Sequence, residues 1–242
     1  MKIYLGNIKD YSIEELKRLV SHKRVLETER YVHEEDRKRG LMAAALLNYG
    51  LKKDKELYFK GSSEMTAGSN KYDELMIKDE YQKPHIKIND RELLFSFSHS
   101  GDYGVCAIGG FEEKDRLLRL GVDIESYEGE GKEKSMDSIA KRFFTRQEYE
   151  YVVGDKEDTL KRFYRIWTLK EAYIKAEGLG LSIPLDSFSV TVKEGDNTAD
   201  YSAKEVYRGR YFEDIEGYLI SVCTLGSENN LNIMLDNVKD LI

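Results

Sequence analysis

The chain has 242 residues, 40% of them hydrophobic, enough for a substantial core in one domain or two small ones. Its 38 Lys and Arg against 45 Asp and Glu give a formal charge of −7, which argues against a nucleic-acid-binding protein. No signal-peptide pattern opens the sequence and no run approaches the roughly 20 apolar residues of a membrane span, so we expect a cytoplasmic protein without membrane association. Cys106 and Cys223 lie in apolar strand-like runs, which predicts reduced core residues.

The first segment is predicted to be a strand followed by helices. The strand covers residues 1–6, and Ser12 with Glu15 three residues later forms a capping box for the helix that follows. The best-defined helix covers 36–49, and Gly50 is predicted to be its C-terminal stop.

The clearest β signal is a hairpin of two apolar runs, residues 93–98 and 103–109, joined by a Gly-containing turn. A third strand is predicted at 118–125. We interpret the three as an antiparallel meander that brings His99 toward the acidic residues of the third strand. The stretch 52–81, which precedes the hairpin and contains a polar insertion, has no assigned role.

The second half repeats this combination of helices and strands. The predicted elements are helices at 137–144, 145–153 and 158–178, and strands at 187–192 and 218–224. Because each half combines helices with an antiparallel set of strands, we predict an α+β fold of two similar lobes, at 1–118 and 119–242.

Three acidic residues of the second lobe are predicted to point inward. Asp123 and Glu125 occupy positions i and i+2 of one strand, so they share a face. Glu171 lies in the apolar stripe of the long helix, next to Trp167. Buried carboxylates repel one another and lose hydration, so they need protons or a cation. Oxygen ligands suit Mg²⁺ or Mn²⁺, and such an ion typically holds phosphates.

Each of these acids also has a structural interpretation. Asp123 and Glu125 would alternate outward on an edge strand, and Glu171 would pair with Lys175 at the favourable i to i+4 spacing. A fourth acid, Glu148, is predicted to form a capping box with Thr145 in Thr145-Arg146-Gln147-Glu148.

Three motifs in this order resemble the 4′-phosphopantetheinyl transferase superfamily. They are Ser98-His99-Ser100, Gly121-Val122-Asp123-Ile124-Glu125 and Trp167-Thr168-Leu169-Lys170-Glu171-Ala172. The likeness is to the larger, surfactin-synthetase-activating type, whose single chain has two lobes related by pseudo-two-fold symmetry. The resemblance implies transfer of 4′-phosphopantetheine from coenzyme A to a serine of an acyl or peptidyl carrier protein, with release of adenosine 3′,5′-bisphosphate. Because two lobes in one chain can form a cleft without a partner subunit, we expect a monomer, and the carrier could serve fatty-acid, polyketide or nonribosomal peptide biosynthesis.

The resemblance assigns roles to the acids and their neighbours. Asp123, Glu125 and Glu171 would hold Mg²⁺ on the pyrophosphate of the coenzyme, and Lys175, one turn beyond Glu171, would stabilise the leaving phosphate. Glu148 matches a position proposed as the general base, although its capping box is an equally good account. Glu171 or a bound water is an alternative proton acceptor.

Further positions match contacts to coenzyme A. Ser98 and His99 match residues at the 3′-phosphate, Lys83 matches a lysine on the pyrophosphate or pantetheine side, and Arg24 matches a basic phosphate contact. The chain departs from its relatives at two places: Glu27 stands where a second lysine is common, and Gly40 where a hydroxyl residue can bind phosphate. These departures predict weaker or differently arranged binding of the coenzyme.

Two other functions use the same residues. A metal-dependent hydrolase of the coenzyme A pyrophosphate would need the three acids but no carrier. A non-catalytic module that binds coenzyme A or a carrier would keep the basic contacts, but would have no use for Glu171 in an apolar stripe.

Overall fold

The computed structural model describes residues 1–55, 71–88, 90–111, 117–129, 132–226 and 233–241. The chain divides into two compact units, Met1–Arg116 with Glu228–Ile242, and Leu117–Ser227. The expected lobes end near the same point, but the last residues return to the first unit. The polar insertion between 61 and 70 and the charged segment 112–116, predicted to be a turn, lie outside the described residues.

The first unit packs helices against a mixed sheet. Its helices are α1 (Ile13–Leu19), α2 (His22–Thr28) and α3 (Glu34–Lys53), and its strands are β1 (Lys2–Asn7), β2 (Ile77–Lys78), β3 (Pro84–His85), β4 (Lys87–Ile88), β5 (Arg91–Ser100), β6 (Tyr103–Phe111) and β12 (Met234–Asn237). Among the described residues the main sheet has the order β12-β1-β6-β5-β4, and β2 pairs with β3. β12 runs parallel to β1, whereas β1, β6 and β5 are antiparallel.

Local signals locate most of these elements correctly. The capping box of Ser12 and Glu15 is present at α1, and the predicted hairpin is the β5–β6 pair. The predicted stop at Gly50 is wrong, because α3 continues to Lys53. A Cβ on Gly50 would meet the ring of Tyr4 at 2.5 Å and Ile108 at 2.8 Å. This glycine therefore allows α3 to lie close against β1 and β6 rather than ending the helix.

In the described part of the second unit, a long helix packs against an antiparallel sheet, and two shorter helices pack on the long one. The helices are α4 (Lys132–Phe143), α5 (Arg146–Val153) and α6 (Thr159–Glu177), and the strands are β7 (Leu117–Ser126), β8 (Val190–Lys193), β9 (Thr198–Tyr201), β10 (Tyr207–Phe212) and β11 (Tyr218–Gly226). The sheet order in the described part of the chain is β7-β11-β10-β9-β8. Short 3₁₀ turns are found at Ile8–Asp10, Tyr72–Leu75, Gly180–Ser182, Leu185–Ser187 and Glu194–Asp196.

The predicted meander of three strands is wrong. β7 does not continue the β5–β6 hairpin but pairs with β11 in the second unit, with Asp123 opposite Ser221 and Glu125 opposite Leu219. Alternating hydrophobicity indicates a strand and its faces, whereas it does not identify the partner strand.

The α+β class with antiparallel strands packed on helices is confirmed. The pseudo-two-fold relation between the lobes stays a prediction. Both cysteines are buried and unpaired with each other, as expected for core thiols. Within the described ranges, every helix is too short or too polar to cross a membrane.

Candidate functional site

The long helix α6 lies against β7, and its Lys175 reaches Asp123 of that strand. Gly178 ends the helix in a left-handed conformation, with φ of 80°, as the sequence predicts. Gly121 of β7 makes the contact close, because a Cβ there would collide with the carbonyl oxygen of Ala172. Alternate residues of a strand share a face, so Asp123 and Glu125 project from the same side of β7 as Gly121.

Four charged side chains gather where α6 faces β7. Asp123 is buried, with 4% of its surface exposed, and its Oδ1 accepts a hydrogen bond from Lys175 Nζ at 2.7 Å. Glu125 and Glu171 are half-buried. Burial raises the pKa of Glu171, the neighbouring Asp123 and Glu125 raise it further, and Lys175 opposes the shift. Glu171 therefore lies close enough to Asp123 and Glu125 for their charges to affect its protonation.

The composition of this group suits a hard divalent cation. Asp123, Glu125 and Glu171 supply only carboxylate oxygens, and the ammonium group of Lys175 lies against Asp123. In the parts of the chain that the structure describes, no three His, Cys, Asp or Glu side chains converge closely enough to ligate one ion. The backbone thus brings the acids to facing elements, while their side chains do not form a ligand cage.

Glu148 is the most completely enclosed acid of this unit. Its Oε2 accepts from the backbone N–H of Thr145 at 2.7 Å, which completes the predicted capping box at the start of α5. Its Oε1 accepts from the backbone N–H of Val190 and lies 2.7 Å from Lys170 Nζ. Both side chains of this ion pair are 0% exposed. These contacts favour the structural interpretation of Glu148 over its predicted use as general base.

The sequence predicts no role for Lys170, a buried residue of the same region. Its ammonium group donates to the carbonyl oxygens of Leu185 and Phe188, each at 2.7 Å, as well as pairing with Glu148. Burial lowers its pKa, and the Glu148 carboxylate opposes that effect. The position of Lys170 on α6 is the sequence signal that indicates this ion pair. A lysine on the buried side of an amphipathic helix requires an acidic partner.

In the first unit, Arg24 is held by the two residues at which the chain departs from its relatives. Its Nε and Nη2 donate to the carbonyl oxygen of Gly40 at 3.1 and 2.9 Å, and its Nη1 lies 3.2 Å from Glu27 Oε2. The guanidinium is thus used within the fold and is partly neutralised by Glu27.

The other predicted coenzyme contacts also belong to the first unit. Ser98 and His99 lie near the end of β5, where Ser98 is buried and His99 is exposed. Lys83 lies just before β3 and is half-buried, and its backbone N–H donates to Asp79 Oδ1 at 2.9 Å. The structure therefore brings together Asp123, Glu125, Glu171 and Lys175 in the second unit. Ser98, His99, Lys83 and Arg24 are positions of the first unit.

Comparisons with known proteins point to one family. A profile described as the 4′-phosphopantetheinyl transferase superfamily matches residues 119–223. The chain is 31% identical over 217 residues to the 4′-phosphopantetheinyl transferase Sfp of Bacillus subtilis strain 168, covering 88% of this chain and 85% of the relative. It is 33% identical to the 4′-phosphopantetheinyl transferase ffp of Bacillus subtilis, covering 92% of each. It is also 33% identical to the 4′-phosphopantetheinyl transferase gsp of Aneurinibacillus migulanus, covering 69% of this chain and 65% of the relative.

Proposed function

The chain belongs to the 4′-phosphopantetheinyl transferase superfamily, and from this premise we propose that it transfers 4′-phosphopantetheine from coenzyme A to a serine of an acyl or peptidyl carrier protein. Adenosine 3′,5′-bisphosphate is the second product. The observation that carries the proposal is the approach of three carboxylates and Lys175 where α6 packs on β7, in a part of the chain that the family profile matches. A pyrophosphate-bearing donor needs a cation at such a site.

Asp123, Glu125 and Glu171 are the residues that would hold Mg²⁺, with Mn²⁺ as an alternative. Their all-oxygen chemistry fits either ion, and burial together with the neighbouring Asp123 and Glu125 raises the pKa of Glu171, as expected for carboxylates that lie close together. When bound, the ion supplies charge neutralisation at the pyrophosphate of coenzyme A.

The transfer itself forms one bond and breaks one. The carrier serine oxygen attacks the β-phosphorus, the bond from this phosphorus to the bridging oxygen breaks, and the adenosine bisphosphate leaves with that oxygen. Lys175, which already holds its ammonium against Asp123 at 2.7 Å, is our candidate for stabilising the charge on the leaving phosphate.

The serine proton must also go to a base. We propose Glu171 or a bound water as the acceptor, because Glu171 is half-buried at the same contact of α6 with β7 as Lys175. Glu148 stays a prediction as base, but both of its oxygens accept hydrogen bonds and its side chain has no exposed surface.

At the nucleotide end, we propose that Ser98 and His99 contact the 3′-phosphate, that Lys83 contacts the pyrophosphate or pantetheine side, and that Arg24 is a weaker basic contact. The ion pair of Arg24 with Glu27 supports the reduced role of Arg24, because a neutralised guanidinium attracts a phosphate less.

We further propose that the chain acts as a monomer in the cytoplasm, without nucleic acid or a membrane. The carriers it serves would belong to fatty-acid, polyketide or nonribosomal peptide biosynthesis. The formal charge of −7 supports the absence of nucleic acid from the reaction.

The test is incubation of the purified chain with coenzyme A, Mg²⁺ and a panel of apo-carrier proteins, followed by mass spectrometry of each carrier. We expect at least one carrier to gain the phosphopantetheine mass, and a carrier with its serine replaced by alanine to gain none. If no carrier gains this mass, the proposal is wrong. Adenosine bisphosphate released in the absence of a carrier would instead indicate hydrolysis of the coenzyme.

A further inference from the structure

His85, the last residue of β3, lies between two carboxylates from different segments. Its Nε2 is 3.0 Å from Asp79 Oδ2, and its Nδ1 is 2.5 Å from Glu92 Oε1. Glu92 is on β5, and Asp79 opens the turn that joins β2 to β3. The imidazole ring therefore links this turn to the main sheet of the first unit.

Asp79 in turn fixes the main chain around Lys83. Its Oδ1 accepts from the backbone N–H groups of Tyr81 and Lys83, both at 2.9 Å. The Asp79 N–H donates to the Lys83 carbonyl at 3.1 Å, so the turn is closed from both ends. Gln82 inside this turn has φ of 65°, a left-handed conformation that costs free energy for a residue with a side chain. The contacts of Asp79 stabilise that conformation.

The link depends on the charge of His85. Burial opposes protonation, but the hydrogen bonds to Glu92 and Asp79 outweigh it, and the pKa of His85 is raised. The charged groups that face the ring are Asp79 from the turn and Glu92 from β5. Only the imidazolium can donate to both carboxylates at once, because the neutral ring has a single N–H.

We propose that His85 is a positioning residue for Lys83. By tying Asp79 to Glu92, the imidazolium holds the turn that presents Lys83 to an anionic oxygen of coenzyme A. This inference rests on the proposed function, which assigns Lys83 to the coenzyme, and it adds a residue that does not itself contact the substrate.

The proposal has a definite pH dependence. A histidine whose folded pKa is raised contributes its stabilisation fully below the ordinary histidine pKa, and loses it as pH rises through the raised value. The turn should therefore loosen, and the KM for coenzyme A should increase, as pH rises through the raised pKa of His85.

The experiment compares five proteins in carrier assays at several pH values between about 6 and 9. They are the unchanged chain, His85→Gln, Asp79→Asn, Lys83→Ala and the matched control Glu80→Gln. Glu80 is exposed and lies in the same turn, so its substitution removes the same charge as Asp79→Asn without touching the link. Thermal melting of each variant identifies any that fails to fold.

We expect His85→Gln and Asp79→Asn to raise the KM for coenzyme A about fivefold at pH 6.5, with kcat changed less than about twofold. Glu80→Gln should leave both constants unchanged. The KM of His85→Gln divided by the KM of the chain without substitutions should fall toward one at high pH. At high pH His85 is neutral in the chain without substitutions, so both proteins lack the imidazolium charge. A residue with a purely structural role would give a ratio independent of pH.

Failure of the inference and failure of the proposed function give different results. If Lys83→Ala raises the KM but His85→Gln and Asp79→Asn do not, the inference is wrong and the proposed function stands. If Lys83→Ala leaves the KM unchanged, the assignment of Lys83 is wrong and the inference falls with it. If the unchanged chain modifies no carrier, the proposed function is wrong. Amide exchange of Tyr81 and Lys83 then tests the link, and exchange unaltered by His85→Gln overturns it.

Discussion

Two lysine–carboxylate pairs on α6 have the same length but different surroundings. Lys170 Nζ and Glu148 Oε1 are 2.7 Å apart, and so are Lys175 Nζ and Asp123 Oδ1. The first pair has no exposed surface, whereas the side chain of Lys175 is 30% exposed. The distance between the charges therefore does not distinguish their uses.

The difference lies in the other groups around each pair. Glu148 and Lys170 also meet backbone N–H and carbonyl groups, so the pair joins α5, α6 and the segment leading into β8. Asp123 and Lys175 instead neighbour two more carboxylates, Glu125 and Glu171. An ion pair enclosed by backbone hydrogen bonds specifies packing, whereas a partly exposed group of neighbouring carboxylates suits the binding of a cation.

The largest expected effect is on the transfer of phosphopantetheine, when a carboxylate at the contact of α6 with β7 is replaced. Asp123→Asn and Glu171→Gln should each lower kcat/KM for the carrier at least about 10³-fold, about 4 kcal/mol of transition-state stabilisation, because cation binding and proton transfer are lost. Mass spectrometry of a carrier over time measures the rate. The control is Glu150→Gln, the same change on the exposed side of α5. A loss below tenfold in both variants would contradict the assignment of these acids.

The next effect is on the stability of the enclosed pair. Lys170→Met should lower the free energy of unfolding by about 3 kcal/mol, because Glu148 is left buried without a cation. Urea unfolding measures the loss. The double variant that combines Lys170→Met with Glu148→Gln should lose less free energy of unfolding than the two single variants lose in sum. We expect the difference to be at least about 1 kcal/mol. Additive single effects would show that the two charges do not stabilise each other.

Glu148→Gln alone separates the two interpretations of this residue. We expect the free energy of unfolding to fall by about 2 kcal/mol, because Lys170 loses its counter-charge while the capping contact is weakened. Turnover at saturating substrate should change less than about threefold. A stable variant with turnover reduced a hundredfold would instead identify Glu148 as the general base.

The sequence predicts those features of the two charged groups that depend only on residues close together in the chain. The i and i+2 spacing of Asp123 and Glu125, and the place of Glu171 on an amphipathic helix, are sufficient to expect the acids to face one another. The capping box of Thr145 and Glu148 follows from four consecutive residues and is present. Such patterns depend on backbone periodicity, which short segments determine by themselves.

The parts that depend on distant packing were not predicted. The choice between the two uses of Glu148 is set by Lys170 and Val190, which reach it only when α6 and β8 pack beside α5. The partner of β7 is β11, and Gly50 lies inside a helix because Tyr4 packs against it. Each of these outcomes depends on which distant segments meet, and sequence periodicity carries no information about that.

Addition of Mg²⁺ tests cation binding by these carboxylates without any substrate. A cation that binds only the folded chain should stabilise it by about 1.4 kcal/mol at ten times its dissociation constant. Thermal melting should show this increase for the unchanged chain and for Lys170→Met, and not for Glu171→Gln. Sodium chloride at equal ionic strength is the control. Equal stabilisation of Glu171→Gln by Mg²⁺ would place the ion elsewhere.

The smallest expected effect is the stability cost of Glu171 itself. Burial raises the pKa of this carboxyl in the folded chain, and Asp123 and Glu125 add to the shift, so the folded chain holds the proton at pH values where the unfolded chain has released it. Stability therefore falls as pH rises from the ordinary glutamate pKa to the raised pKa of Glu171. Glu171→Gln does not titrate, so without Mg²⁺ it should be more stable than the unchanged chain by about 1 kcal/mol at neutral pH. Urea unfolding from about pH 4 to 8 should show this advantage shrinking at the acidic end, where both side chains are neutral. A constant difference across that range would mean that the carboxyl of Glu171 is not strained by its neighbours.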